Sequence, residues 1–252
     1  MENKPENNTN LYGLIGRNIS YSFSAGYFKD KFERLGLKDY HYQNFDLSNI
    51  EALQEVLNVH PNLRGFNVTI PYKEEIIPLL HSVDPEAAQI GAVNTVKVEQ
   101  GLLSGYNTDS YGFETSLTPF LKPWHNHALI LGTGGASKAV AYVLQKKGIS
   151  YQFVSRNSSD KVVTYNELTP ALLAAHQIII NCTPLGTFPN IEERPELPYE
   201  VITPKHVLYD LIYNPAETTF LKLGKKQGAT ICNGLRMLEL QAEKAWNIWQ
   251  KP

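Results

Sequence analysis

The 252-residue chain has only two cysteines, Cys182 and Cys232. It also has no apolar run near the roughly 20 residues that a membrane-spanning helix needs. Two cysteines cannot build a disulfide framework, so they read as reduced thiols and the chain as cytoplasmic. Neither sign of charge prevails. The 23 Lys+Arg and 25 Asp+Glu leave a net charge of −2, which gives no global field for nucleic acid or an anionic membrane. The opening MENKPENNTN lacks the apolar stretch of a signal peptide and reads as a disordered lead-in. There is no internal repeat, no low-complexity block and no set of residues at metal-ligand spacing. His125 and His127, two apart before a strand, read as loop flanks. The rest is ordinary globular composition, 42% hydrophobic and 19% charged, on a chain long enough for two domains.

The pattern along the chain is α/β. LYGLIG (11–16) reads as a strand, 22–36 as a helix closed by Gly36, 39–47 as a strand, 50–59 as a helix and 63–70 as a strand. A helix is predicted from about Pro71 to Leu80, then a hairpin over 92–107 turning at Gln100-Gly101. The alternation then restarts. HALILGTGGASKAVAYVLQKKG is strand, glycine turn and helix. YQFVSRN, QIIINCTP and HVLYDLIYNP are strands, TTFLKLGKKQG is a helix, and the tail 236–250 has helical spacing with a Trp246/Trp249 pair. Two such blocks predict two α/β domains with parallel sheets and a cleft between them, the boundary falling near 105–110. The last helix fits either domain.

LILGTGGASKAV sets Gly132, Gly134 and Gly135 between an apolar strand and a helix, with Thr133 and Ala136 inside the loop and Ser137 where the third glycine of G-x-G-x-x-G would stand. Glycines let backbone approach a pyrophosphate, and the helix N-terminus offers it free N–H groups. A tight turn with no ligand is the alternative. The next strand ends in Ser155-Arg156-Asn157, where an NAD site wants an acidic residue. Arginine pairs with a 2′-phosphate, so the expected cofactor is NADP, with Lys161 as an additional charge. The blander reading of Arg156 and Lys161 is a solvated loop. Thr183 and Pro184, after another buried strand, either lie beside the cofactor or are a plain strand exit.

The first half carries polar pairs at predicted strand exits: Ser22 and Ser24, Asn67 and Thr69, Asn94-Thr95, and Asn107-Thr108-Asp109. Asn67 and Thr69 are two apart and share a strand face. With Lys73 and Asp109 the set suits a small polyhydroxylated acid, the serine hydroxyls on a carboxylate and the amides and carboxylate on ring hydroxyls. Lysine is suited to deliver a proton to, and stabilise, the alkoxide that forms when a hydride reaches a ketone. Each residue also has a plain role: a helix cap for Ser22, Ser24 or Asp109, a strand-end turn for Asn94, a solvated first-turn lysine for Lys73.

In this order the segments resemble the shikimate dehydrogenase family. Gly16–Ala25 lines up with G-x-P-I-x-H-S-x-S-P, residues 67–73 with N-V-T-x-P-x-K, 91–95 with G-A-V-N-T and 107–109 with N-T-D. Gly132–Ser137 lines up with G-A-G-G-A-S, and Asp210–Tyr213 and Gly234–Met237 with the C-terminal signatures. The resemblance covers about residues 11–250. It departs at Asn18, Tyr21 and Ala25, which replace two prolines and a histidine, at Ser110 and at Asn157. It implies NADPH-dependent reduction of 3-dehydroshikimate to shikimate, on the pathway to chorismate and the aromatic amino acids, with Lys73 and Asp109 as the catalytic pair. It further implies that Ser22 and Ser24 hold the carboxylate. Asn67, Thr69, Asn94, Asp109 and Gln241 would hold hydroxyls, with Tyr213 beside the ligand and Leu211 and Gly234 at the cofactor. The substrate domain would be 1–106, completed by 236–252, and the Rossmann-type domain 107–235, with a cleft that closes on binding and a monomer or homodimer as the assembly. The competing readings are a quinate/shikimate dehydrogenase using NAD, a non-catalytic NADP-binding sensor, and a two-domain dehydrogenase of the methylene-tetrahydrofolate type, which does not need the paired serines.

Overall fold

Alternating apolar strands and amphipathic helices fold into two compact units, described from a computed structural model covering residues 9–19, 22–157 and 162–251. The lead-in segment 1–8, Tyr21 and Lys161 lie outside the described residues. The first unit runs to Thr108 and takes in the chain again from Lys244; the second is Asp109–Glu243.

The first unit contains β1 (Asn10–Gly16), α1 (Phe23–Arg34), β2 (Tyr40–Asp46), α2 (Leu53–Val59), β3 (Leu63–Val68), β4 (Ser82–Val83), α3 (Pro85–Ile90), β5 (Thr95–Glu99) and β6 (Leu102–Tyr106). Its sheet has the order β2-β1-β3-β5-β6-β4. β1, β2 and β3 are parallel, whereas β5 runs antiparallel to β3 and pairs with β6 through the turn at Gln100 and Gly101, both at positive φ. One face packs Ile15, Leu53, Phe66, Val68, Tyr72, Ile76 and Val96 together. Among the rings that pack together elsewhere in this unit are Tyr12, Phe28 and Trp249, with Trp249 4.9 Å from Tyr12 and 5.3 Å from Phe28 between ring centroids. The Trp249 indole N–H donates to the Val96 carbonyl at 2.9 Å. A Cβ at Gly65 would collide with that indole, so glycine there is what lets the C-terminal tryptophan lie on β3.

Two expectations fail around Pro71. β3 ends at Val68, so Thr69 stands just beyond the strand, although its N–H still pairs with the Ile15 carbonyl at 2.8 Å. No α-helix forms over 71–80. The segment is a series of turns closed by a single 3₁₀ turn, Ile77–Leu79. Its apolar residues have helical spacing, but Pro78 has no N–H to donate and disfavours helical backbone at Ile77. The bonds Ile77 N–H to Glu74 O and Leu80 N–H to Ile77 O are accordingly of the tighter, three-residue kind.

The loop after β1 explains one departure from the family pattern. Asn18 has φ +57, and its N–H donates to the Asp46 carboxylate at 2.9 Å. Proline can do neither, because its ring fixes φ near −65° and it has no N–H. The Asn44 amide donates to the Ile19 carbonyl and the Arg17 guanidinium to the Ser48 carbonyl, so side chains hold the loop.

The second unit contains α4 (Asp109–Leu117), β7 (His127–Leu131), α5 (Gly135–Lys146), β8 (Ser150–Ser155), β9 (Val162–Thr164), α6 (Pro170–Ala175), β10 (Ile178–Asn181), β11 (Val207–Asp210), α7 (Thr219–Lys226), β12 (Thr230–Cys232) and α8 (Leu235–Trp249), whose last residues belong to the first unit. Its sheet is parallel throughout, in the order β12-β11-β10-β7-β8-β9. Alternate residues serve opposite faces. Ala128, Ile130, Ile178 and Ile180 face α5, while Leu129, Leu131 and Ile179 pack with Leu173, Phe220 and Leu221. Both faces are covered, which is why these strands read as unbroken apolar runs. Chain order reverses between β7 and β10, and a doubly wound sheet binds its ligand at such a switch point. No described helix is long and apolar enough to cross a membrane.

Candidate active site

In the first unit the polar pairs gather at one end of the sheet. Asn94 and Thr95 open β5 rather than end a strand. Because β5 is antiparallel to β3, its start lies at the β3 exit and Thr95 sits opposite Asn67. Asn67 is buried. Its amide N–H donates to Thr95 Oγ1 at 3.1 Å and to the Asn94 carbonyl at 3.4 Å. Asn94 Oδ1 accepts the Thr108 backbone N–H at 2.7 Å, and the Asn107 amide donates to the Ala92 carbonyl at 2.9 Å. Those bonds fix where the chain leaves β6 just before Asp109, the first residue of α4. Lys73 is half-buried, and its backbone carbonyl accepts the Val93 N–H at 2.7 Å, which pins it beside Asn94.

Ser22 occupies the N-cap position of α1 with extended backbone, yet its hydroxyl makes no capping bond. Ser24, in the first turn, is buried and hydrogen-bonds the Tyr42 hydroxyl. Tyr42 in turn donates to Asn67 Oδ1 at 2.9 Å. The sequence reading named Thr95 and Thr108 among the polar residues and missed Tyr42. The available signal was polar residues beside Asn67 and Asn94 that face a buried sheet end.

In the second unit the glycine turn lies at the switch point. Gly132, at φ +101, donates its N–H to the Val154 carbonyl at 2.8 Å, so Ser155, Arg156 and Asn157 leave β8 beside the turn, the last two exposed. A Cβ at Gly132 would press within 3.2 Å of the Cys182 carbonyl and the Thr183 methyl, which places the Thr183-Pro184 loop against the turn. At Gly134 a Cβ would meet nothing within 4 Å. Neither packing nor φ requires glycine there. The open backbone at the N-terminus of the 12-residue α5, flanked by Thr133, Gly135 and Ala136, fits a pyrophosphate. Ser137 is buried and its hydroxyl bonds the Gly134 carbonyl at 2.7 Å, so it braces the loop from below.

The loops after β10 and β11 are tied by a network built on the fully buried Asn181, Asp210 and Thr218, a partnership that the sequence reading did not single out. Asp210 accepts the Asn181 amide at 3.0 Å, the Ile212 N–H at 3.0 Å and the Thr218 hydroxyl at 2.6 Å, while Asn181 Oδ1 accepts the Thr183 N–H and hydroxyl. Leu211 and Tyr213 are thereby set on the same framework. Gly234 packs on the Leu211 carbonyl where any Cβ would collide. Gly112, one turn after Asp109, lets α4 approach the Gln241 backbone of α8, bringing Gln241 alongside the start of α4.

Burial raises the Asp210 carboxyl to about 6 against the opposing pull of its three donors. A carboxyl whose folded pKa exceeds its unfolded 3.8 favours folding most below the unfolded value and loses that contribution as pH climbs to about 6. Relative to Asp210→Asn, the wild type is therefore expected to lose about 3 kcal/mol of stability between about pH 4 and 7, read by urea unfolding at each pH. A pH-independent difference contradicts it.

A parallel doubly wound sheet with an open glycine at its switch point defines a dinucleotide-binding unit, here joined to a second α/β unit bearing a buried amide–hydroxyl cluster. Comparison with known proteins makes this specific. Residues 14–96 match the family model of the shikimate dehydrogenase substrate binding domain. A shikimate dehydrogenase (NADP(+)) of Clostridium beijerinckii is 40% identical over 253 residues, 96% of this chain and 92% of that one. The crystal structure of shikimate dehydrogenase from Aquifex aeolicus has a TM-score of 0.85 at 36% identity, covering 96% of this chain and 92% of its own. That of the Thermus thermophilus enzyme in complex with NADP(H) and shikimate has a TM-score of 0.84 at 32% identity, covering 96% and 94%. The chain belongs to the shikimate dehydrogenase family.

Proposed function

We propose that this protein is a cytoplasmic oxidoreductase of the shikimate pathway that interconverts shikimate and 3-dehydroshikimate with NADP as cofactor. The observation that carries the reading is that a chain related over nearly its whole length to shikimate dehydrogenases keeps Asn67, Thr69 and Lys73 on one strand exit and Asp109 at the start of α4. Ser22 and Ser24 hold the substrate carboxylate. Asn67, Thr69, Asn94, Asp109 and Gln241 hold ring hydroxyls, and Tyr213 lies against the ring. NADP lies on Gly132–Ala136, its 2′-phosphate on Ser155, Arg156 and Asn157, with Thr183, Pro184, Leu211 and Gly234 along its length. When bound it accepts or donates the hydride. Lys73 stabilises the ring alkoxide and exchanges its proton, and Asp109 orients Lys73 and the neighbouring hydroxyl.

The cofactor assignment is tested by initial rates with NADP⁺ and NAD⁺ at fixed shikimate. Arg156→Ala is expected to raise KM for NADP⁺ about 30-fold while leaving that for NAD⁺ within about twofold, the loss of one charge-assisted contact. Equal effects on both cofactors contradict the role of Arg156.

A further inference from the structure

Tyr42 is not among the residues assigned a role in binding or chemistry, yet it joins two that are. The direction of each hydrogen bond in the chain is forced. The Asn94 carbonyl only accepts, so the Asn67 amide turns its N–H groups toward Asn94 and Thr95 and its Oδ1 toward Tyr42. The Tyr42 hydroxyl therefore donates to Asn67 at 2.9 Å, and the one hydrogen it has is used. Its contact with Ser24 then has Ser24 as donor. The ring is held by stacking on Phe28 at 4.7 Å and 12°, and Phe28 is fully buried. Burial also keeps the phenol far above its ordinary pKa, so it stays a neutral donor.

In this state the Ser24 hydrogen is committed to Tyr42. A ligand carboxylate has only acceptors, so Ser24 engages it by turning that hydrogen to the ligand. Tyr42 can then donate to Ser24, which vacates the lone pair of Asn67 Oδ1 that it occupied, so that both acceptor positions of Oδ1 are open to ligand hydroxyls. We infer that Tyr42 is a positioning residue that couples the two ends of the substrate, readying Asn67 for a ring hydroxyl when Ser24 takes the carboxylate. The inference rests on the substrate reading above and applies to any ring acid bearing both groups.

The test compares wild type, Tyr42→Phe, Ser24→Ala and the double variant in NADP⁺ reduction with shikimate. Phenylalanine keeps the stack on Phe28 and removes only the hydroxyl. Tyr42→Phe is expected to raise KM for shikimate about tenfold, with kcat and KM for NADP⁺ changed about twofold or less. The double variant should match the worse single variant rather than the product of the two. An unchanged KM for shikimate in Tyr42→Phe, or a double variant showing the full product, overturns the coupling. A single 3-fluorotyrosine at position 42 asks the same of an otherwise native protein. Its fluorine resonance is expected to shift with shikimate, and a resonance unmoved by saturating shikimate also overturns it. Absence of turnover in the wild type would instead defeat the substrate reading.

Discussion

Lys73→Ala is expected to lower kcat for shikimate oxidation by about 10³-fold while KM for NADP⁺ stays within about twofold. The size of the loss, about 4 kcal/mol of transition-state stabilisation, follows from removing the one ammonium assigned to the forming alkoxide. The Val93 N–H bonds the Lys73 backbone carbonyl, a contact that truncating the side chain keeps. Stopped-flow and steady-state rates at 340 nm separate the cases. A fall in kcat with intact cofactor affinity supports the assignment. A rise in KM for shikimate alone would make Lys73 a binding group and move the proton transfer elsewhere.

Trp249→Ala is expected to cost about 3–5 kcal/mol of stability, the usual loss for a buried large aromatic. Trp249 seals one face of the first unit, where its ring meets Tyr12 and Phe28 and its N–H closes a bond to Val96. The sign of the effect is shared by Gly65→Ala, which places a methyl group where the indole lies. Urea denaturation measures both. A variant as stable as wild type would mean that the C-terminal segment is not part of the first unit's core.

Much of the α/β architecture was legible because both faces of the second sheet are covered. IIIN and VLYD could only be buried strands, and the glycines between β7 and α5 marked the turn. The stretch FNVTIPYKEE was legible in its residues and not in its backbone. Ile76, Ile77, Leu79 and Leu80 have helical spacing, but Pro78, with no N–H to donate, lets the run of turns close in a single 3₁₀ turn instead of a helix. Asn181 went unnoticed, and Asp210 was named only within a family signature, because a polar residue ending an apolar run looks like an ordinary strand exit. Their partnership crosses 29 residues of sequence. Tyr42 was hidden in an alternating edge strand whose aromatic residues look like surface. The Trp249–Gly65 contact joins the last helix to β3, far apart in the chain, and no local pattern announces it.

The central claim is that hydride passes between the ring carbinol carbon of shikimate and NADP⁺. Shikimate carrying deuterium on that carbon, incubated with NADP⁺ and the protein, measures this directly by mass spectrometry of the reduced cofactor. The account predicts NADPH one mass unit heavier, with a slower rate than for unlabelled shikimate if hydride transfer limits turnover. Reduced cofactor without deuterium, or no reduction by a folded protein that binds NADP⁺, would contradict it.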